Sequence, residues 1–287
     1  VTARSVLVAT DLDRTMIYSR TAAGEEQFAA TAPVCVEIYD DAPLSYMTAT
    51  AHTLLADLTA RTVVVPTTTR TPAQYRRITL PGGPYRYAVT SNGGAVLVDG
   101  RPDPVWRQRI DRAVAAAGPP VTAVVDALGT RIDDGWVRSL RTADDLFCYL
   151  VVDTAAQPDG FVAAWRAWCE PRGWNVSQQG RKIYTMPNAV TKSAALRDVH
   201  DRLVADGTLD PGSRVLAAGD GVLDIDLLEH ADAAIRPRHG ELEDTGWQHP
   251  DVAVTAARGI TAGEEILTWF HHHTAPTEAL LPQRKSM

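Results

Sequence analysis

The chain is poor in the residues that staple, anchor or coat a protein. It has 3 cysteines in 287 residues, Cys35, Cys148 and Cys169, with no C-x-x-C pair and no zinc-type spacing. That excludes a disulfide scaffold and a zinc ribbon and points to idle thiols in a reducing compartment. No apolar run reaches the roughly 20 residues that a membrane helix needs. Nor is there a basic excess: 28 Lys and Arg face 35 Asp and Glu, a formal charge of −7. A nucleic-acid binder that works by neutralising phosphates is thereby excluded. A small phosphate is not, because one local metal ion can reverse the sign of a pocket. Internal repeats and low-complexity segments are absent, and no signal-peptide pattern precedes the first strand-like run. What is present, 45% hydrophobic and 22% charged residues, is ordinary for a globular chain. We expect a cytoplasmic protein of two modest domains, or one core with a large insertion.

Strand-like and helix-like segments alternate at the start. Val6 to Thr10 is a short apolar run of the kind buried on both faces of a parallel sheet. Thr50 to Ala60 reads as a helix, with Leu54, Leu55 and Leu58 at helical spacing, and Thr62 to Pro66 as the next strand. Tyr87 to Thr90 is a third strand, followed by the turn signal Ser91-Asn92-Gly93-Gly94. The rhythm then changes. Arg107 to Ala117 and Val121 to Leu128 read as helices, Trp136 to Leu140 and Phe147 to Asp153 as half-exposed antiparallel strands, and Asp159 to Glu170 as an amphipathic helix. Trp174 to Gln178 and Arg181 to Thr185 form a hairpin signal around Gln179-Gly180. Buried strands return at Val215 to Ala218, Ala233 to Ile235 and Val252 to Thr255. The fold class expected is α/β with a mostly parallel core sheet, split by an inserted α+β unit. The expected division is 1–95 with 187–273 for the core, 96–186 for the insertion and 274–287 for a tail. His271-His272-His273 reads as a helix end, since consecutive residues point in different directions.

Four clusters carry chemistry, each placed where a strand or turn delivers it. Asp11-Leu12-Asp13-Arg14-Thr15 follows the first strand, where ligands of open α/β sheets bind. Two carboxylates there repel each other unless a cation sits between them, and Mg²⁺ suits an oxygen-only site with a bound phosphate. Thr68-Thr69-Arg70 follows the second strand and offers hydroxyl and backbone N–H donors to phosphate oxygens. Lys192 lies just after Thr191, in the first turn of a helix, where the dipole disfavours a cation by up to about 1 kcal/mol and an anionic partner would offset it. Gly219-Asp220-Gly221-Val222-Leu223-Asp224 follows the strand Val215 to Ala218, its glycines letting backbone approach a ligand. Alone, each cluster is also what a solvated turn, a Thr cap or a surface lysine looks like. Their order, one after another at sheet ends, is what separates them from coincidence.

Together they resemble the four motifs of the haloacid dehalogenase (HAD) superfamily: D-x-D-x-T, a Ser/Thr after the second strand, a Lys, and G-D-x-x-x-D. The inserted unit resembles the larger cap of the branch holding sucrose-phosphate, trehalose-phosphate, mannosyl-phosphoglycerate and Cof-type sugar phosphatases. Ser91-Asn92-Gly93-Gly94 is similar to the Asn-Gly turn of that branch, and Val190 to Leu196 to its Lys-Gly-x-Ala-Leu segment. Arg14 stands where the branch often has Gly, Leu223 where it has Asn, and Ser193 where it has Gly. The resemblance implies a Rossmann-like three-layer core with a cap.

It also implies a Mg²⁺-dependent phosphomonoester hydrolase acting on a small phosphorylated metabolite, a sugar phosphate or related compound. Asp11 would be the nucleophile and Asp13 the acid and base; Thr68 and Lys192 would hold phosphate oxygens. Asp11, Asp13 through its backbone carbonyl, Asp220 and Asp224 would surround the metal. Candidate substrate contacts are Arg14, Asn92, Arg181 and Lys182, with Tyr184, Arg138 and Arg141 behind them. The alternatives are a phosphosugar mutase on the same core and a catalytically idle binding or assembly module. No nucleic-acid or membrane partner is expected.

Overall fold

The computed structural model of the chain describes residues 4–275. The expected tail, beyond Thr274 and Ala275, lies outside the described residues. In chain order the strands are β1 (Arg4–Thr10), β2 (Val34–Tyr39), β3 (Ala42–Met47), β4 (Val63–Pro66), β5 (Tyr87–Thr90), β6 (Ala95–Val98) and β7 (Arg101–Pro102). They continue as β8 (Val137–Ala143), β9 (Phe147–Val152), β10 (Trp174–Gln179), β11 (Lys182–Pro187), β12 (Leu209–Ala218), β13 (Ala233–Arg236) and β14 (Val252–Val254).

Five strands form a central sheet in the order β14-β13-β12-β1-β4, and every pair is parallel. Side chains alternate across it, so β1 sends Leu7 and Ala9 into one core and Val6 and Val8 into the other. The first core packs under the helices Lys192–Ala205 and Ile225–His230, through Leu196, Val199, Leu203 and Leu227. The second packs under the helices Ala49–Arg61 and Thr261–Thr274, through Leu55, Leu58, Ile266 and Phe270. Helix, sheet and helix thus make three layers. Removing one fully buried leucine such as Leu7 would cost about 2–5 kcal/mol.

Between β4 and the helix Lys192–Ala205 lie two antiparallel sheets. One is β5-β6-β7, the other β10-β11-β9-β8. Expected as a third strand of the open sheet, β5 instead doubles back. Ser91 and Asn92 take φ of 52° and 58°, the chain reverses, and β5 pairs with β6. Its link to the central sheet is one parallel bridge, Thr67 to Val89. In the four-stranded sheet β9 is buried nearly throughout rather than half-exposed, because it lies between β8 and β11 with both faces covered. One face carries Cys148, Leu150 and Ile183 into the core shared with Trp165, whose Nε1 donates to Thr185 Oγ1 at 2.8 Å. The other face carries Tyr149, Tyr184 and Lys182 toward the end of the central sheet.

Two features were not read from the sequence. β12 starts six residues before its expected start, at Leu209, which pairs with Arg4 across a register shift that absorbs Pro211-Gly212. And the hairpin β2–β3 stands as its own two-stranded sheet. Among the described residues no helix is long and apolar enough to cross a membrane.

Candidate active site

Parallel register is what assembles the site. Thr10 lies opposite both Ala218 and Pro66, so the chain leaves β1, β12 and β4 at one level. Backbone bonds Asp11 N to Ala218 O (2.9 Å) and Thr67 N to Thr10 O (2.8 Å) continue the pairing into the loops. Past Asp11 the chain winds tightly, with Thr15, Met16 and Ile17 all donating to Leu12 O. Arg14 takes φ of 65°, a left-handed conformation that glycine adopts freely and arginine does not.

Asp11, Asp220 and Asp224 meet at the sheet end, each buried, with carboxylate oxygens within 4.8 Å of one another. Lys192, fully buried, donates from Nζ to Asp11 Oδ1 at 2.6 Å and to Asp224 Oδ1. Thr191 caps its helix by accepting from Ala194 N, which sets Lys192 in the first turn, and the two carboxylates offset the unfavourable dipole. Asp224 is pinned further: its Oδ2 accepts from Asp220 N (3.1 Å) and Gly221 N (2.9 Å). Asp11 Oδ2 accepts from Thr15 Oγ1 at 3.3 Å. Asp220 Oδ2 is buried with no hydrogen-bond partner, and its nearest cation is Arg14 Nε at 3.6 Å. Three carboxylates against the Lys192 ammonium and the more distant Arg14 guanidinium leave negative charge in excess.

The protonation equilibria register that excess. Burial pushes Asp11 up to about 7, against the pull of Lys192 and with a further push from Asp224. Asp220 is driven well above the usual carboxylate range by burial, then by Asp11 and Asp224. Burial would lower Lys192, yet Asp11 and Asp224 hold it above its ordinary value.

Asp13 faces another way. Arg70 grips it bidentately, Nε to Oδ2 at 2.6 Å and Nη2 to Oδ1 at 2.7 Å. Burial opposes ionisation of Asp13, but the Arg70 charge and hydrogen bonds, with Lys182 and Lys192 beyond, hold it below the usual range. Arg70 Nη1 in turn meets Glu37 Oε1 at 2.7 Å. Glu37 comes from β2, in the hairpin that the sequence reading passed over, and no motif announces it.

Thr68 is buried in the loop after β4, its Oγ1 accepting from Arg70 N at 3.1 Å and its N–H spent on Val89 O. The N-cap of the following short helix is Thr71, so Thr68 is not consumed as a cap. Asn92 is 2% exposed and its Nδ2 donates to Val190 O at 3.1 Å. It therefore braces the loop that delivers Lys192 and does not line the cleft.

The cleft itself, about 830 Å³, is lined by Asp13, Arg14 and Arg70 from below, Leu44 and Ser45 from the hairpin β2–β3, and Gln179, Arg181, Lys182 and Tyr184 from above. Arg138 lies elsewhere, paired with Asp153 at 2.7 Å; neither it nor Arg141 lines the cleft. His271 and His273 are occupied with backbone carbonyls of Leu54 and Trp269. A second residue without a sequence signal is Glu241. It accepts from Ser177 Oγ (2.6 Å), Gln178 N (2.9 Å) and Val222 N (3.0 Å), tying β10 to the loop after Gly221. A Cβ on Gly221 would lie 2.3 Å from Gln179 Nε2, the movable end of a side chain that reaches down from the upper hairpin.

No family model matches the chain, and no curated protein matches it by sequence. Solved structures do match. A sucrose-phosphatase from Synechocystis, solved with sucrose and phosphate, aligns over 93% of this chain and 98% of its own at 15% identity, with a TM-score of 0.63. A HAD subclass IIB sugar phosphatase aligns over 93% and 98% at 12% identity (TM-score 0.54). The C-terminal domain of the Candida albicans trehalose-6-phosphate phosphatase aligns over 94% and 93% at 11% (TM-score 0.53). These likenesses show the fold: the chain has the three-layer core and covering α+β unit found in HAD phosphatases.

Proposed function

We propose that a chain with this HAD-phosphatase fold is itself a Mg²⁺-dependent phosphomonoester hydrolase, working through an aspartyl-phosphate on Asp11 and acting on a small phosphorylated metabolite, a sugar phosphate or a related compound. The observation that carries the reading is the convergence of Asp11, Asp220, Asp224 and Lys192 from three separated stretches of chain onto one sheet end, with Asp220 Oδ2 unpartnered. The folds of sugar phosphatases lend support to the substrate class.

A divalent cation fits this donor set. The ligands are all oxygens, the cluster is short of positive charge, and one buried carboxylate oxygen has no partner. Asp11, Asp220, Asp224 and the Asp13 carbonyl would hold it. When bound, it supplies positive charge that keeps Asp11 ionised and screens it from an anionic phosphate.

The chain's own groups do the rest. An Asp11 carboxylate oxygen attacks phosphorus, the bond from phosphorus to the leaving oxygen breaks, and that oxygen takes a proton from Asp13, which for this step must be protonated and released from one of its two Arg70 bonds. Asp13, now ionised, takes a proton from the water that attacks the aspartyl-phosphate, releasing phosphate and restoring both groups. Lys192 and the Thr68 hydroxyl stabilise the charge that spreads over the equatorial oxygens. The hairpin β10–β11, seated on Gly221 through Gln179, closes the cleft against bulk water and presents Arg181, Lys182 and Tyr184 to the leaving group. We assign residues 96–186 to the covering unit and 1–95 with 187–273 to the core.

The test is phosphate release over a panel of phosphorylated metabolites and one aryl phosphate, with Mg²⁺ or with EDTA. Turnover with Mg²⁺ and none with EDTA is expected. Transfer of phosphate between positions of one sugar, without release, would favour a mutase instead.

A further inference from the structure

The cleft begins where the Asp11 site ends: Asp13 and Arg14 line it, while Asp11, Thr68 and Lys192 do not. Its lining is therefore what meets the leaving group. That lining is cationic in a chain of net charge −7. Arg14, Arg70, Arg181 and Lys182 stand against a single carboxylate, Asp13. Arg70 is spent on Asp13 and Glu37, at 2.6 and 2.7 Å. Arg14 lies 3.6 Å from Asp220, and Arg181 and Lys182 form no ion pair among the described residues.

Backbone pairing holds the two unpaired cations over the cleft. Lys182 opens β11 opposite Val151, and Tyr184 lies opposite Tyr149, so Lys182 and Tyr184 share the cleft face while Ile183 faces the core. Lys182 Nζ stands 5.8 Å from the centre of the Tyr149 ring. Arg181 O accepts from Val152 N at 2.8 Å, which ties the turn to β9. From below, Arg14 keeps its charge in the cleft at φ 65°, a conformation that costs an arginine more than a glycine.

Lysine and arginine side chains only donate hydrogen bonds. A neutral polyol both donates and accepts through every hydroxyl, and is matched by side chains that also accept. Here the one carboxylate is already held by Arg70. An oxyanion only accepts, and it would also offset the mutual repulsion of Arg14, Arg181 and Lys182. We infer that the leaving alcohol of the substrate carries a second anionic group, a carboxylate or a phosphate, bound by Lys182 and Arg181 from above with Arg14 opposite. The inference deepens the phosphatase reading and rests on it. Cations that served only to draw in the reacting phosphate would favour all phosphomonoesters alike.

Matched substrates separate the two. One pair is 3-phosphoglycerate against glycerol 3-phosphate. The other sets 6-phosphogluconate and glucose 1,6-bisphosphate against glucose 6-phosphate, so carboxylate and second phosphate are read apart. kcat/KM is measured with Mg²⁺ in about 0.5 M salt, which screens long-range steering of the more charged member. A hydrogen bond to a charged group is worth about tenfold or more, so at least one anionic member should exceed its neutral partner by that factor. Lys182→Met should remove most of this preference, and Arg181→Met a smaller part. Lys182→Arg, which keeps the charge, should retain most of it. Both side chains are exposed, so the variants should fold. Neutral and anionic members turned over alike, or a preference that neither Met variant moves, overturns the inference and leaves the phosphatase reading standing. Equal loss in Lys182→Arg and Lys182→Met overturns the assignment of the preference to charge, and the inference with it. Absence of turnover on every compound overturns both readings.

Discussion

Two ionic clusters flank the turn from Asp11 to Asp13 and are built on opposite rules. Around Lys192, three buried carboxylates share one ammonium, and an oxygen of Asp220 has no hydrogen bond, with Arg14 Nε 3.6 Å away. Around Arg70, two carboxylates, Asp13 and Glu37, share two guanidiniums, Arg70 and Arg77, with Ser45 filling the last place. The second cluster is neutral and complete; the first keeps an excess of negative charge. Completeness suits a device that must hold one group still. Incompleteness suits a site that gains its last member from solution, because the desolvation penalty of unpaired carboxylates becomes part of the affinity for that member.

The contrast can be broken at several points. The largest effect falls on Asp11→Asn, expected to lower turnover about 10⁴-fold or more, as loss of a nucleophile does elsewhere, while circular dichroism stays unchanged; full activity in that variant would remove the nucleophile. Next is the cation. Mg²⁺ at 100 times its dissociation constant should stabilise the fold by about 2.7 kcal/mol. Asp220→Asn should abolish most of that gain, and calorimetry with and without Mg²⁺ reads both.

Acidity sharpens the comparison further. Asp11 titrates at about 7 in the fold against an ordinary 3.8, and Asp220 is raised as well. A raised carboxyl contributes stability that is fully present below the unfolded value and is lost as pH climbs through the folded one. In EDTA the melting temperature should therefore drift down as pH rises from about 4 to 7. Mg²⁺, which favours the ionised form, should flatten that drift. Asp13 is lowered, so its contribution vanishes only on acidification below its ordinary 3.8. The smallest effect is expected at Arg77→Gln. Arg77 is 30% exposed and supplies one of three bonds to Glu37, so the loss should be about 1–2 kcal/mol by denaturant unfolding, and Mg²⁺ should not restore it.

The two clusters also differed in how visible they were beforehand. Asp11, Asp13, Thr68, Lys192, Asp220 and Asp224 each sit just past a strand or at a helix start, where local pattern and chain position coincide, and the structure brings them to one sheet end. The parallel central strands were legible for the same reason: runs buried on both faces leave a continuous apolar signature. Arg70 lay within a cluster already noted, but its meaning depends on Glu37, thirty-three residues earlier in the chain. Glu37 sits in a bulged, partly exposed hairpin with neither alternation nor a turn dipeptide to mark it. Asn92 was a candidate substrate contact because its turn resembles a family motif; its Nδ2 donates to Val190 O and its Oδ1 is buried without a hydrogen bond. Glu241 likewise acts on partners more than sixty residues earlier, in the hairpin above the site. Pairings between distant segments leave no local trace.

The central claim is that the anionic cluster, once a divalent cation joins it, presents Asp11 to phosphorus. Its most direct test is to mix the Asp13→Asn variant, slowed in releasing phosphate, with Mg²⁺ and an aryl phosphate, quench in acid, and map the peptides by mass spectrometry. One phosphoryl group on Asp11 with Mg²⁺ and none in EDTA is expected. Product formation with Asp11 unmodified throughout, or a phosphoryl group on another residue, would contradict it.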